Sequence, residues 1–189
     1  MVTLDKIYTR AGDDGTTRLA TGETVAKWSV RIAASGGVDE ANSALGIARV
    51  YAAGDMDLML ARIQNDLFDL GADLSIPDRG KPLPFEALRI QPEQVARLEQ
   101  EIDAMNAKLA PLTSFILPTG TPLAAHLHLA RALARRAERA IAELAATAHE
   151  IVSPAALHYA NRVSDHLFVA ARIANIEKGD VLWTPGANR

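Results

Sequence analysis

Cysteine is absent from this chain of 189 residues, so thiolate nucleophiles, disulfides and thiolate metal sites are excluded together. The fold must stand on packing and hydrogen bonding. Also missing is a basic N-terminal segment followed by an apolar run, and no stretch approaches the roughly 20 apolar residues that a membrane-spanning helix needs. These absences predict a cytoplasmic chain with no membrane partner and no organelle-import segment. Charge of one sign is scarce as well: 20 Lys and Arg stand against 23 Asp and Glu, for a formal net charge of -3. That balance offers no footprint for a nucleic acid, so any cationic site must be local.

Several catalytic signatures are missing too. There is no Glu-x-x-His pair, which removes the mark of a di-iron bundle, and no Gly-x-Ser-x-Gly elbow. His126 and His128 lie about 200° apart around a shared helix, too far to hold one metal without a third element. No protein-held transition metal is expected. The length suffices for a real core and suits a single domain over 1–189.

What is present divides at about residue 30. Residues 1–30 hold glycine and threonine without helical periodicity and read as a loop with at most a short strand. From Val38 to Ala53, Ala41, Leu45, Ala48 and Ala52 recur at three- and four-residue spacing, and Gly54 follows as a stop. A second helix is predicted from Asp55 to Leu74, where Leu58, Leu60, Ile63, Leu67, Leu70 and Leu74 form a stripe. Prolines 77, 82 and 84 break the stretch 76–89 into a connector. Gln91-Pro92 opens a third helix to about Leu109, Thr121-Pro122 a fourth to about His149, and Ser153-Pro154 a fifth to about Lys178. The expectation is all-α: a five-helix up-and-down bundle over 38–179, behind an N-terminal loop segment.

Three groups of residues could carry chemistry. In Thr9-Arg10-Ala11-Gly12-Asp13-Asp14-Gly15-Thr16-Thr17, two glycines let backbone N–H groups turn toward one anion, threonines add hydroxyls and Arg10 a charge. The same residues also suit an ordinary surface turn, and the segment is no Walker A loop, because Gly-Lys-Ser/Thr is missing. On the fourth helix Arg131, Arg135 and Glu138 fall within roughly 60° of one another, with Arg139 just beyond. Arg136 points to the margin of the apolar stripe, where a buried guanidinium would need a carboxylate. The bland alternative is a solvated charged face. On the fifth helix Asn161 sits at the edge of the core, suited to an interhelical hydrogen bond or a ligand contact. Asp39, Glu40 and Asn42 are equally open, since acids at a helix start also favour its dipole.

Six ordered blocks carry a resemblance. They are Ile7-Tyr8-Thr9-Arg10-x-Gly12-Asp13-x-Gly15-x-Thr17, Gly37-Val38-Asp39-Glu40-x-Asn42-Ser43, the run Gln64 to Leu74, Phe115-Ile116-Leu117-Pro118-x-Gly120, Arg135-Arg136-Ala137-Glu138-Arg139, and Tyr159-x-Asn161-Arg162-x-Ser164-Asp165-x-Leu167-Phe168. Together they resemble the PduO-type ATP:cob(I)alamin adenosyltransferases, across nearly the whole chain. Ala11, Ala41 and Thr119 depart from the usual threonine, leucine and glycine, without loss of a charged group.

The resemblance implies a homotrimer with active sites between subunits. ATP with Mg2+ would be held by Thr9, Arg10, Gly12, Asp13, Gly15, Thr16 and Thr17, with Lys27 on the phosphates. Arg131, Arg135, Glu138 and Asn161 would complete the nucleotide site, Glu138 meeting the magnesium. Asp39 would pair with Arg136 across a subunit boundary, and Phe115 would press on the lower face of the corrin. The implied substrates are ATP and cob(I)alamin. The implied partners are a corrinoid reductase and an adenosylcobalamin-dependent enzyme. A silent carrier and a ligand-free scaffold are the competing readings.

Overall fold

Three helix starts in this chain are written with proline. Pro92, Pro122 and Pro154 each occupy the first turn of a helix, where an amide hydrogen would have no intrahelical acceptor anyway. Thr121 Oγ1 accepts from Ala124 N at 3.1 Å, and Ser153 Oγ accepts from Ala156 N at 3.1 Å, satisfying orphan donors. Ahead of the third helix the Gln94 side chain accepts from Gln91 N at 2.9 Å.

The computed structural model describes residues 7–189, so the first six residues of the expected loop lie outside the described ones. It contains five helices: α1 (Val30–Arg49), α2 (Gly54–Leu74), α3 (Pro92–Asn106), α4 (Pro122–Ala146) and α5 (Pro154–Ala174). A hairpin of β1 (Thr16–Arg18) and β2 (Thr24–Ala26) precedes them, antiparallel, with Thr16 opposite Ala26 and Arg18 opposite Thr24. The helical expectation is met, with the hairpin added.

One boundary is corrected. α1 begins at Val30, eight residues before the predicted start, and runs through Ser35-Gly36-Gly37. Glycine is a poor helix former, but a Cβ on Gly37 would stand 3.1 Å from the Ala137 Cα. Close approach of α1 and α4 requires the missing side chain, and packing overrides propensity. The acids Asp39 and Glu40 are consequently mid-helix, and the helix-dipole reading of them falls.

Directions follow from named contacts. Arg31, at the start of α1, bonds Glu150 just beyond α4, while Tyr51 beyond the end of α1 stacks on His126 near the start of α4, centroids 5.2 Å apart. α1 and α4 are therefore antiparallel. Glu99 meets Arg162 and Glu101 meets His166, so α3 and α5 run parallel, as helices one place apart in an alternating order must. Between them the helices bury Leu45, Leu60, Ile63, Leu70, Leu98, Leu127, Ile141 and Leu167. Tyr159 is fully buried too, its hydroxyl donating to Asp66 Oδ2 at 2.9 Å.

Candidate active site

The N-terminal loop folds on itself through short-range bonds. Asp14 Oδ1 accepts from Thr16 N at 2.9 Å and from Thr16 Oγ1 at 2.7 Å, which holds its carboxyl below the usual carboxylate range. Lys27 Nζ donates to Gly12 O at 2.7 Å, and Lys27 N to Gly15 O at 2.9 Å. A Cβ on Gly12 would lie 2.9 Å from both Lys27 Nζ and Thr16 O, so only glycine fits there. Gly15 has φ +84°, with the Trp28 ring against it.

A cavity of about 620 Å³ opens here, lined by Thr9, Ala11, Gly12, Asp14, Thr16, Thr17, Arg18, Thr24 and Lys27. Of the loop residues that the resemblance implies for ATP, Thr9, Gly12, Thr16, Thr17 and Lys27 line this cavity, whereas Arg10, Asp13 and Gly15 do not. The Arg10 guanidinium lies over the Tyr8 ring, 5.7 Å from its centroid. Asp14, Arg18 and Thr24 line it too; Arg18 and Thr24 gave no signal, because strands of three residues are too short to show an alternation.

On α4 the charged face is as predicted, but its pairings differ. Arg131 is half-buried over Phe168, 6.0 Å from the ring centroid, and its Nε is buried with no acceptor among the described residues. Burial, then the neighbouring charge of Arg135, pulls its pKa below the ordinary arginine value. Glu138 Oε1 accepts from Asn161 Nδ2 at 2.8 Å, and Asn161 Oδ1 accepts from Arg162. Arg139 Nη1 donates to Arg135 O at 3.2 Å.

Arg136 is not the buried arginine expected. Its side chain is 51% exposed and ion-paired with Glu40. Within the chain Asp39 is not its partner; Asp39 is exposed on the groove between α1 and α2, beside Asn42, Phe68 and Gly71. Asn42 and Gln64 exchange side-chain-to-backbone bonds of 3.1 Å across that groove. The hydrogen-bonding reading of Asn42 is the observed one.

Phe115 is 78% exposed on the loop between α3 and α4, its ring edge-on to Trp183 at 6.0 Å. Trp183 lies past the last periodic helix, where helical spacing gave no signal. Its rarity, as one of two tryptophans, was the available cue. His128, buried near Arg131, has neither ring nitrogen bonded among the described residues, and burial, aided by Arg131 against an opposing Asp180, pushes its pKa down.

Arginine face and loop are brought to one bundle, yet loop and Phe115 are set at opposite ends of it. The loop precedes α1, and Phe115 precedes α4, whose start lies beside the end of α1. α1 has 20 residues, or roughly 30 Å of axis.

The five-helix bundle and the relatives of this chain are those of a helical ATP:corrinoid adenosyltransferase. The chain belongs to the cobalamin adenosyltransferase family, whose family model matches residues 7–174. It is 50% identical over 191 residues to a corrinoid adenosyltransferase of Mycobacterium tuberculosis, covering 100% of this chain and 97% of the relative. It is 43% identical over 167 residues to the corrinoid adenosyltransferase PduO of Salmonella typhimurium, covering 88% of this chain and 48% of that protein. Among solved structures, a phenylalanine-to-histidine variant of the Lactobacillus reuteri PduO-type ATP:corrinoid adenosyltransferase, complexed with cobalamin and ATP, superposes with a TM-score of 0.83 at 37% identity, covering 95% and 97% of the two chains. An arginine-to-lysine variant of the same enzyme, complexed with ATP, gives a TM-score of 0.82 at 37% identity.

Proposed function

We propose that this chain, as one adenosyltransferase domain, transfers the 5′-deoxyadenosyl group of ATP to cob(I)alamin, forming adenosylcobalamin and releasing triphosphate. The cobalt(I) electron pair forms the bond to the ribose 5′ carbon while the carbon–oxygen bond breaks, and triphosphate leaves with the electron pair of that broken bond. Cob(I)alamin is itself a strong nucleophile, so no protein nucleophile or general base is required. The absence of cysteine and of a nucleophile elbow is consistent with this.

What the step needs from the protein is stabilisation of charge on a departing triphosphate and alignment of two large reactants. Arg131 carries the reading: a guanidinium Nε buried without an acceptor among the described residues, beside Arg135 and on the same face of α4 as Glu138, is suited to receive an anion. Thr9, Arg10, Gly12, Asp13, Gly15, Thr16, Thr17 and Lys27 would grip the phosphates. Among the described residues no three His, Cys, Asp or Glu side chains gather as a metal cage. Mg2+ would be carried mainly by the phosphates and met by Glu138, where it would offset the charge growing on the leaving group.

The separation of loop and Phe115 supports a site assembled between copies, in a homotrimer. With Arg136 already engaged by Glu40 in its own chain, an Asp39–Arg136 bond between subunits would require that pair to exchange. Phe115 would act as an apolar wedge on the lower corrin face, expelling the axial ligand of cob(II)alamin so that one electron from a corrinoid reductase can give cob(I)alamin. The product would pass to an adenosylcobalamin-dependent enzyme in the cytoplasm.

The test is incubation with ATP, Mg2+ and chemically reduced cobalamin, following the corrinoid spectrum. Conversion to adenosylcobalamin is expected. Tight binding with no spectral change would replace the transferase with a carrier.

A further inference from the structure

The loop that carries Phe115 is coil, and coil does not hold an exposed aromatic ring in place unless its backbone is fixed elsewhere. Here it is fixed at three points, all leading to the C-terminal end of α5. At the entry, Arg172 Nη2 donates to Ala110 O at 2.8 Å. At the exit, Asn175 Oδ1 accepts from Thr121 N at 2.9 Å and Asn175 Nδ2 donates to Thr119 O at 3.0 Å. Gly120 sits directly under that amide, where a Cβ would overlap it, so the fit admits no larger residue.

The middle is held by the strap after α5. Leu117 N donates to Val181 O at 2.8 Å, Trp183 N donates to Phe115 O at 2.8 Å, and Ser114 Oγ donates to Trp183 O at 2.8 Å, around an antiparallel bridge of Ile116 with Leu182. The strap is in turn anchored by Asp180, whose Oδ2 accepts from Arg172 Nε at 2.8 Å, with both side chains largely buried. One guanidinium therefore ties the start of the Phe115 loop to the start of the strap that pairs with it.

We propose that Arg172 and Asp180 are positioning residues for Phe115, acting through the strap 180–183, a segment beyond the 7–174 matched by the family model. The inference rests on the reading of Phe115 as the axial wedge. It assigns the strap to the reduction of cob(II)alamin rather than to ATP binding or adenosyl transfer.

The experiment uses the full chain with Asp180→Asn, Asp180→Glu or Trp183→Pro, beside Phe115→Ala. Trp183→Pro removes the donor to Phe115 O at a half-exposed strap position, and stays informative if loss of the buried ion pair impairs folding. Two quantities are read: the ratio of turnover from cob(II)alamin plus a one-electron reductant to turnover from pre-reduced cob(I)alamin, and the electron paramagnetic resonance spectrum of cob(II)alamin bound with ATP. Asp180→Asn and Trp183→Pro are expected to lower the ratio on the order of tenfold, to restore the splitting from an axial nitrogen, and to leave KM for ATP unchanged. Asp180→Glu is expected to recover part of the ratio. Wild-type ratio and spectrum in both strap variants, alongside their loss in Phe115→Ala, would overturn the inference alone. Retention in Phe115→Ala as well would remove the wedge reading, and the inference with it.

Discussion

Asn161 donates from α5 to Glu138 on α4 at 2.8 Å, and so fixes the one carboxylate that stands among the arginines of that helix. Glu138→Gln keeps the shape and loses the charge. It is expected to lower kcat/KM for ATP roughly tenfold or more, with the greater part in KM if its role is to meet Mg2+. Steady-state kinetics across a Mg2+ series reads this, and a variant with unchanged Mg2+ dependence would remove the carboxylate from the metal.

Arg131 has a buried Nε with no acceptor among the described residues. Arg131→Lys retains a charge but not the planar donor set, and a loss on the order of a hundredfold in kcat is expected, with the melting temperature within a few degrees of wild type. Single-turnover rates with pre-reduced cobalamin measure it. A wild-type rate would assign Arg131 to packing over Phe168.

If sites are shared between copies, defects in different halves should complement. Inactive Lys27→Ala chains mixed and reassorted with inactive Arg135→Ala chains are expected to recover about a quarter of the wild-type sites. Absence of any recovery after verified exchange would place the whole site within one chain.

Glu150 ties three elements together. It receives Arg31, whose guanidinium is nearly buried and also reaches Leu74 O, and it receives Arg79, which in turn bonds Glu23 on the hairpin turn. Burial would raise the Glu150 carboxyl, but the hydrogen bonds from Arg31 and Arg79 outweigh it and hold the group below its ordinary value. A depressed carboxyl contributes stability that is present above its unfolded pKa and lost as pH falls through the folded one. Glu150→Gln should therefore cost roughly 2 kcal/mol at neutral pH and flatten the acid limb of a melting-temperature profile below about pH 4.5. An acid limb as steep as wild type would contradict it.

Gly37 meets the Ala137 backbone, so Gly37→Val must push α1 from α4. A loss of about 1–3 kcal/mol is expected from chemical denaturation, whereas Gly36→Ala, with nothing within 4 Å of its Cβ, should be neutral or stabilising. Equal losses at both positions would mean that helix propensity, not approach, sets the cost.

The same glycine marks where sequence reading stopped short. Starts of α3, α4 and α5 were legible because each has a local chemical sign, a capping side chain followed by proline. The start of α1 was not, since Ser35-Gly36-Gly37 looks like a break until the partner helix is present. The ends of α3, α4 and α5 were overshot by three or four residues, each ending without a glycine to mark it. In the candidate site, the loop residues Thr9, Gly12, Thr16, Thr17 and Lys27 line one cavity, whereas pairings that depend on tertiary structure were not legible: Arg136 meets Glu40, the neighbour of the acid expected, and Trp183 reaches Phe115 from the far end of the chain.

The stacking of Tyr51 on His126 marks the end of the bundle away from the N-terminal loop, with a full helix length between. In an assembly that joins one copy's loop to another's arginine face, inheritance of damage follows geometry. A chain defective in both loop and arginine face would silence the sites on each of its flanks, so in a cell making sound and faulty copies together, activity should fall more steeply than the faulty fraction rises.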